Sequence, residues 1–348
     1  MLIVTPFPCT LHFKRPAMTS RGALRVREVV FVRAEQDGIV GWGECGVVPG
    51  LSRDDRTDYV DAVRFVCAAV NRGADPAELD LAALPSVAFG LEMALLDLAG
   101  GGRRQLFDTP FSRGEATLPT HGLIWMDEPA GMLAQIEGKI ALGCRVIKMK
   151  AGALPFDDEL ALLRAVRQRW PADEVELRLD ANGAWTPDEA PTRLDALAGL
   201  DVAFLEQPIQ PGQPDEMAAI CANSPIPIAL DEELMSAGDP SPLLETLRPQ
   251  HIVLKPSLLG GVAACQRWID AAQQLAVQWW VNSLLESNVG LNAIAQWTSA
   301  LDDGRVHGLG TGQLFSNNVP SPLRLDGCGL RLAAGASWDF APVEAGKP

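Results

Sequence analysis

From Thr120 onward the chain repeats one pattern: a short apolar run, a longer amphipathic stretch, then another apolar run. Such alternation calls for βα units around a parallel sheet, because each strand needs a crossover that returns the chain to the same end. Strands are expected at 121–126, 145–150, 175–180, 203–206, 227–231, 251–255, 278–282 and 305–310. Between them, helical spacing of apolar residues marks 156–169, where Leu160, Leu163 and Val166 share a face, and 261–275. Eight strands with seven intervening helices predict an α/β fold, a closed (β/α)7β barrel of the TIM type over 120–318. An open doubly wound sheet gives the same alternation, and the strand ends separate the two. Barrels of this kind build their chemistry at the C-terminal ends of the strands. Five successive runs here end in Lys150, Asp180, Glu206, Asp231 and Lys255.

Residues 1–119 read differently. The stretch 24–34 alternates as a half-exposed strand, 38–44 looks like its hairpin partner, and 56–72 and 85–100 have helical spacing. This is an α+β module, expected to cap the barrel. The glycine- and arginine-rich stretch 100–114 is the expected connection. The tail, 319–348, has several prolines and no βα unit, so it is expected to pack back on the first module. Segments 19–22 and 48–53 are the expected loops closing over a substrate.

The composition of the 348 residues, 47% hydrophobic and 21% charged, is that of a soluble protein with room for two cores of unequal size. A net charge of −15 argues against nucleic acid or an anionic membrane as partner, because both need a basic face. A small carboxylate substrate is compatible with it, since local cations outweigh a distant acidic surface. A homo-oligomer is compatible too. Seven cysteines with no CxxC fit a reducing compartment, and no apolar run has the length of a membrane span, so the expected location is cytoplasmic.

Lys148 and Lys150, two apart on one strand, must point to the same face about 6.5–7 Å apart. An isolated pair of this kind is usually a solvated strand face. At the end of a barrel strand it faces the interior, where one ammonium would lower the pKa of the other and make it a usable base. Asp180, Glu206 and Asp231 end three successive strands. Each alone reads as a turn or cap residue; together they form a set of hard oxygen donors suited to Mg²⁺. Glu232 falls on the opposite strand face from Asp231 and is expected to be structural. Arg178, two before Asp180, points the same way and could bind a carboxylate or pair with a neighbouring one.

The ordered set Lys148-Met149-Lys150, Asp180-Ala181-Asn182, Glu206-Gln207-Pro208, Asp231-Glu232-Glu233 and Leu254-Lys255-Pro256 resembles the enolase superfamily, in its muconate-lactonizing subgroup, along nearly the whole chain. The resemblance implies a modified (β/α)7β barrel with an α+β cap, and Mg²⁺, with Mn²⁺ as a substitute, held by Asp180, Glu206 and Asp231. It implies that Lys150 removes the proton next to a carboxylate to give an enediolate, that Lys148 tunes Lys150, and that Lys255 stabilises the substrate ring by a cation–π contact. Ser283–Gly290, His307–Asn318, Ser20-Arg21-Gly22 and Gly41–Glu44 are most similar to the dehydratase branch that serves menaquinone or phylloquinone biosynthesis. That branch carries out a syn-dehydration of 2-succinyl-6-hydroxy-2,4-cyclohexadiene-1-carboxylate. On this likeness Ser283, Glu286, Gly310 and Arg21, with Arg178, are the expected substrate contacts. The same subgroup holds N-succinylamino acid racemases and dipeptide epimerases, which need a base on each face of a carbon and would use the same two lysines. A barrel kept only for binding is the third reading, and such proteins usually lose a ligand or a base.

Overall fold

The computed structural model describes residues 1–19, 22–236, 238–301 and 304–346. Its first sheet is antiparallel, with β1 (Ile3–Thr19), β2 (Gly22–Gln36) and β3 (Ile39–Gly46) in that order. The sequence pattern shows β2 and β3 but not β1, whose Pro6, Pro8 and Pro16 interrupt any alternation. The strand forms at an edge of its sheet, laddered with β2 and bridged at Phe13 to Phe315, and an edge tolerates residues that cannot donate to a ladder. Helices Tyr59–Asn71 and Pro85–Ala99 cover this sheet. The second helix sits against bare backbone: a Cβ on Gly43 would lie 1.9 Å from Gly90 O, and one on Gly41 2.0 Å from Ala94 O.

After β4 (Leu118–Pro119) come seven strands: β5 (Gly122–Ile124), β6 (Val146–Lys150), β7 (Glu176–Asp180), β8 (Val202–Glu206), β9 (Ile228–Leu230), β10 (His251–Leu254) and β11 (Gln278–Val281). They form one parallel sheet in sequence order, with helices in the crossovers. Helix Phe156–Arg169 occupies the predicted span; it buries Leu160, Leu163 and Val166, with Asp157, Asp158 and Glu159 in the first turn and Arg167 and Arg169 in the last, as the helix dipole favours.

Period two decides what the sheet shows on each face. Ile147, Met149, Leu177, Leu179, Leu205, Ile252 and Leu254 join the large core with the helices. The alternate residues make the other face. There Lys148 pairs in register with Arg178, which pairs with Phe204, and one row further on Lys150 pairs with Asp180, which pairs with Glu206. The stretch expected as an eighth strand, 305–310, forms no ladder; its two glycines and short length leave only single bridges, His307 to Thr120 and Gly308 to Asn282. Through them one dipeptide touches the backbone next to both β5 and β11.

The tail supplies β12 (Leu323–Asp326) and β13 (Gly329–Leu332), which make a third sheet with β4. Beyond it Phe340 stacks on Trp42 of β3, ring centroids 4.3 Å apart. A disulfide joins Cys144, just after helix Pro129–Ala141, to Cys328 in the β12–β13 turn, a pairing that the cysteine spacing did not announce. The other five cysteines are buried and free. Among the described residues no helix is long and apolar enough to cross a membrane.

Because strand β3 and helix Pro85–Ala99 meet backbone to backbone, Gly43→Ala forces them apart. The expected loss is about 1–3 kcal/mol of unfolding free energy, measured by urea denaturation. An unchanged midpoint would mean that the contact contributes nothing.

Candidate active site

The C-terminal ends of β6 to β10 bring three ammonium groups and three carboxylates into one buried space. Lys148 Nζ donates to Glu206 Oε1 at 2.6 Å and lies 2.9 Å from Asp180 Oδ2. Lys150 Nζ donates to the same Asp180 oxygen at 2.6 Å and to Asn182 Oδ1 at 2.7 Å. Lys255 pairs with Asp231. Asp180 and Glu206 are fully buried and Asp231 nearly so.

Charge proximity sets the protonation here. Burial pushes the Lys148 ammonium down, but Asp180 and Glu206 beside it more than offset this and hold it above the ordinary lysine range. Lys255 is likewise pulled down by burial and raised, on balance, by Asp231 and Glu206. For Asp180 burial acts upward, and Lys148, Lys150 and Lys255 overcome it, leaving the carboxyl well below the usual range. Glu206 goes the other way: burial and then Asp180 raise it well above that range. Lys148 was expected to act on Lys150 as a bare positive charge. In the structure its ammonium lies between Asp180 and Glu206.

A cavity opens over this cluster. Lys148, Lys150 and Lys255 line it, with Leu123 and Trp125 from the β5 side and Leu284 and Leu285 from the loop after β11. Val48 and Leu51, from segment 48–53, line it as well. Segment 19–22 includes Arg21, which lies outside the described residues.

Of the other expected contacts, Ser283 and Gly310 line the cavity, and Ser283 Oγ shares a 2.7 Å hydrogen bond with Thr311 Oγ1. Arg178 and Glu286 do not. Arg178 sits one row below Asp180, over the rings of Phe204 and Trp280, donating to Glu176 at 2.6 Å and to Val306 O at 2.9 Å. The ion-paired alternative holds for it. Glu286 accepts from Ser257 Oγ at 2.7 Å and from Leu284 N at 2.5 Å, and so ties the loop after β10 to the loop after β11 from behind. The same region is braced from the first sheet: Glu44 accepts from Ser287 N at 3.0 Å and Gly290 N at 2.9 Å, at the start of helix Asn288–Leu301.

Glu232 was placed on the wrong face. Strand β9 ends at Leu230 and the chain turns into a short 3-10 helix, Glu232–Ser236, so strand parity no longer applies. Glu232 lines the cavity, accepts from Asn182 Nδ2 at 3.0 Å, and has its Oε2 buried without a partner among the described residues. Sequence reading also missed Asn182 and Gln207 as working residues. Both follow a strand-ending carboxylate, and both adopt a positive φ, at 45° and 41°. The Gln207 amide accepts from Asp231 N at 3.2 Å and so orients the next carboxylate along.

The sequence profile described as "Enolase C-terminal domain-like" matches residues 131–328, and that described as "MenC, N-terminal domain" matches 9–98. An o-succinylbenzoate synthase of Desulfotalea psychrophila is 45% identical over 350 residues, which is 91% of this chain and 95% of that protein. The chain belongs to the o-succinylbenzoate synthase family of the enolase superfamily. The crystal structure of MenC from the same organism matches with a TM-score of 0.85 at 39% identity, covering 95% of this chain and 99% of that one. An N-succinyl Arg/Lys racemase from Bacillus cereus reaches 0.84 at 19% identity, over 100% and 97% of the two chains, and shares the fold.

Members of this superfamily use Mg²⁺. In this chain the lysines stand among the carboxylates, and among the described residues no three ligating groups are already clustered for a metal. The donor set nevertheless fits a hard cation: the carboxylates are all oxygen donors at the end of neighbouring strands, and Glu232 Oε2 is an orphaned buried oxygen beside them.

Removing the Lys148 ammonium leaves Asp180 and Glu206 short of countercharge, which typically costs about 3–5 kcal/mol. Lys148→Met should therefore lower thermal stability without divalent cations, and Mg²⁺ should restore more of it than in the unsubstituted protein. An equal loss with and without Mg²⁺ would show that these carboxylates do not form the cation site.

Proposed function

We propose that this chain is an o-succinylbenzoate synthase, which removes water from 2-succinyl-6-hydroxy-2,4-cyclohexadiene-1-carboxylate to give 2-succinylbenzoate in menaquinone or phylloquinone biosynthesis. What carries the reading is the 45% identity with a synthase of that name over 91% of the chain. The three lysines on one cavity support it. In this reading 120–318 is a (β/α)7β barrel in which the His307–Gly308 bridges take the place of an eighth strand, and 1–119 with 319–348 form its cap.

Asp180, Glu206 and Asp231 would hold Mg²⁺, or Mn²⁺ in its place. When bound, the ion supplies positive charge to the substrate carboxylate as negative charge builds on it. The proton on the neighbouring carbon goes to Lys150 Nζ, and its bonding electrons move toward the carboxylate. Lys150 can accept it only as a neutral amine, so its hydrogen bond to Asp180 has to be exchanged for one to substrate. The electrons then return to the ring as the C–O bond breaks. The proton on Lys150 leaves with the departing hydroxide as water, and the ring becomes aromatic. Lys148 stays charged between Asp180 and Glu206 and holds that pair in place. Lys255 places its ammonium against the ring. Leu123, Trp125, Leu284 and Leu285 exclude water from the developing charge.

Racemisation of an N-acylated amino acid is the second reading. One observation favours it: Lys150 and Lys255 both reach the cavity from strands separated by β7, β8 and β9.

Lys150→Ala should reduce dehydration, followed by ultraviolet absorbance, by about 10²–10⁴-fold while Mg²⁺ binding by calorimetry persists. Retained turnover would remove Lys150 from the mechanism. With unsubstituted, Mg²⁺-loaded protein, fast dehydration that chelator abolishes is the expected result; exchange of the α-proton of N-succinyl amino acids without dehydration would favour the racemase.

A further inference from the structure

The cavity has a second polar wall, away from the lysines. His121 precedes β5 and Asn282 follows β11; both line the cavity, and they are only 6% and 5% exposed. They belong to the two backbone positions that the His307–Gly308 dipeptide joins. Gly308 packs between them. A Cβ there would come within 2.0 Å of Asn282 Oδ1 and 2.8 Å of His121 Cε1, so the two side chains border the same small space.

Each side chain has one buried atom without a partner among the described residues. His121 Nδ1 and Asn282 Oδ1 are buried and make no hydrogen bond with the described residues. Leaving such atoms unpaired is costly, and two beside one cavity point to a ligand group that completes them. Both positions can present a donor: an imidazole carries its proton on either nitrogen, and an amide exchanges oxygen for nitrogen by a half-turn. Burial, then the charges of Lys148, Arg178, His307 and Lys150, hold the His121 ring well below the usual histidine range. It is therefore a neutral group, suited to an uncharged acceptor.

We propose that His121 and Asn282 are specificity-determining residues that donate hydrogen bonds to the oxo oxygen of the substrate's acyl arm while the lysine end of the cavity takes the ring carboxylate. The proposal rests on the dehydratase reading above and adds to it the part of the substrate that distinguishes it from other carboxylic acids. It also gives Gly308 a function. Any side chain at that position fills the space between the two donors.

The test compares two ligands that differ only at the oxo group: 2-succinylbenzoate, and 2-(3-carboxypropyl)benzoate, in which a methylene replaces the carbonyl. Their dissociation constants are measured by calorimetry on Mg²⁺-loaded protein, unsubstituted and as His121→Leu, Asn282→Leu and Gly308→Ala. The last variant keeps both side chains and so reports even where a leucine variant fails to fold. The expected result is that each substitution weakens 2-succinylbenzoate by about tenfold and leaves the methylene analogue unchanged. Equal weakening of both ligands, or no weakening of either, overturns the pairing. An unsubstituted protein that binds N-succinyl amino acids but not 2-succinylbenzoate overturns the dehydratase reading itself.

Discussion

Everything at this site depends on keeping buried charge in balance. A single ammonium or carboxylate moved out of water is costly, and a cluster survives only when opposite charges share it closely. Asp180 accepts from two lysines at once, Lys148 bridges two carboxylates, and Lys255 answers Asp231. Such an arrangement is stable in isolation and also easily redistributed. In the proposed chemistry a cation engaging the carboxylates would loosen the hold on the lysines and free the ammonium groups for a substrate carboxylate. The resting ion pairs and the proposed chemistry use the same atoms.

That cluster follows from a rule visible in sequence. In a parallel sheet covered by helices on one face, alternate residues face the other, so a polar residue at the end of each successive apolar run must meet its counterparts there. This is why Lys150, Asp180, Glu206, Asp231 and Lys255 could be grouped before any coordinates. The rule says nothing once a strand stops. Glu232 was misplaced because β9 ends two residues before it, and Arg178 obeys the parity but its guanidinium is held by Glu176 and Val306 O instead of lining the cavity. Strand β1 was hidden by prolines that only an edge position permits. At 305–310 the apolar character is real but the ladder is not, because glycines that bring backbone close to His121 and Asn282 also weaken strand formation. His121 and Asn282 themselves look in sequence like any polar residue in a core. The Cys144–Cys328 pair joins positions 184 residues apart, and only the fold brings them together.

Three of the eight non-glycine residues with positive φ among the described residues stand at the same rim. Asn182, Gln207 and Leu285 hold positive φ angles, Leu285 at 61°, each in a loop that follows a strand of the parallel sheet. Conformations of this kind cost about 1–3 kcal/mol and last only where surrounding contacts impose them. Here the contacts are visible for the first two: Asn182 is fixed between Lys150 and Glu232, and Gln207 between Ile209 O and Glu233. Their amides serve the carboxylates, which accounts for polar residues rather than glycine at these turns.

Glu44 is one of several links between the first sheet with its helices and the parallel-sheet region. A carboxylate on the first sheet ends the free N–H groups of helix Asn288–Leu301, some 240 residues later, directly behind the loop that lines the cavity. The two regions cannot then drift independently over evolutionary time. A change in the β11 loop that altered which substrate is accepted would also shift the acceptor position that Glu44 must meet, so new specificities should arise through paired substitutions in distant segments. Recombination that exchanged the N-terminal portion between relatives would succeed where this helix start is shared, and would otherwise deliver a mismatched brace to an intact set of lysines and carboxylates.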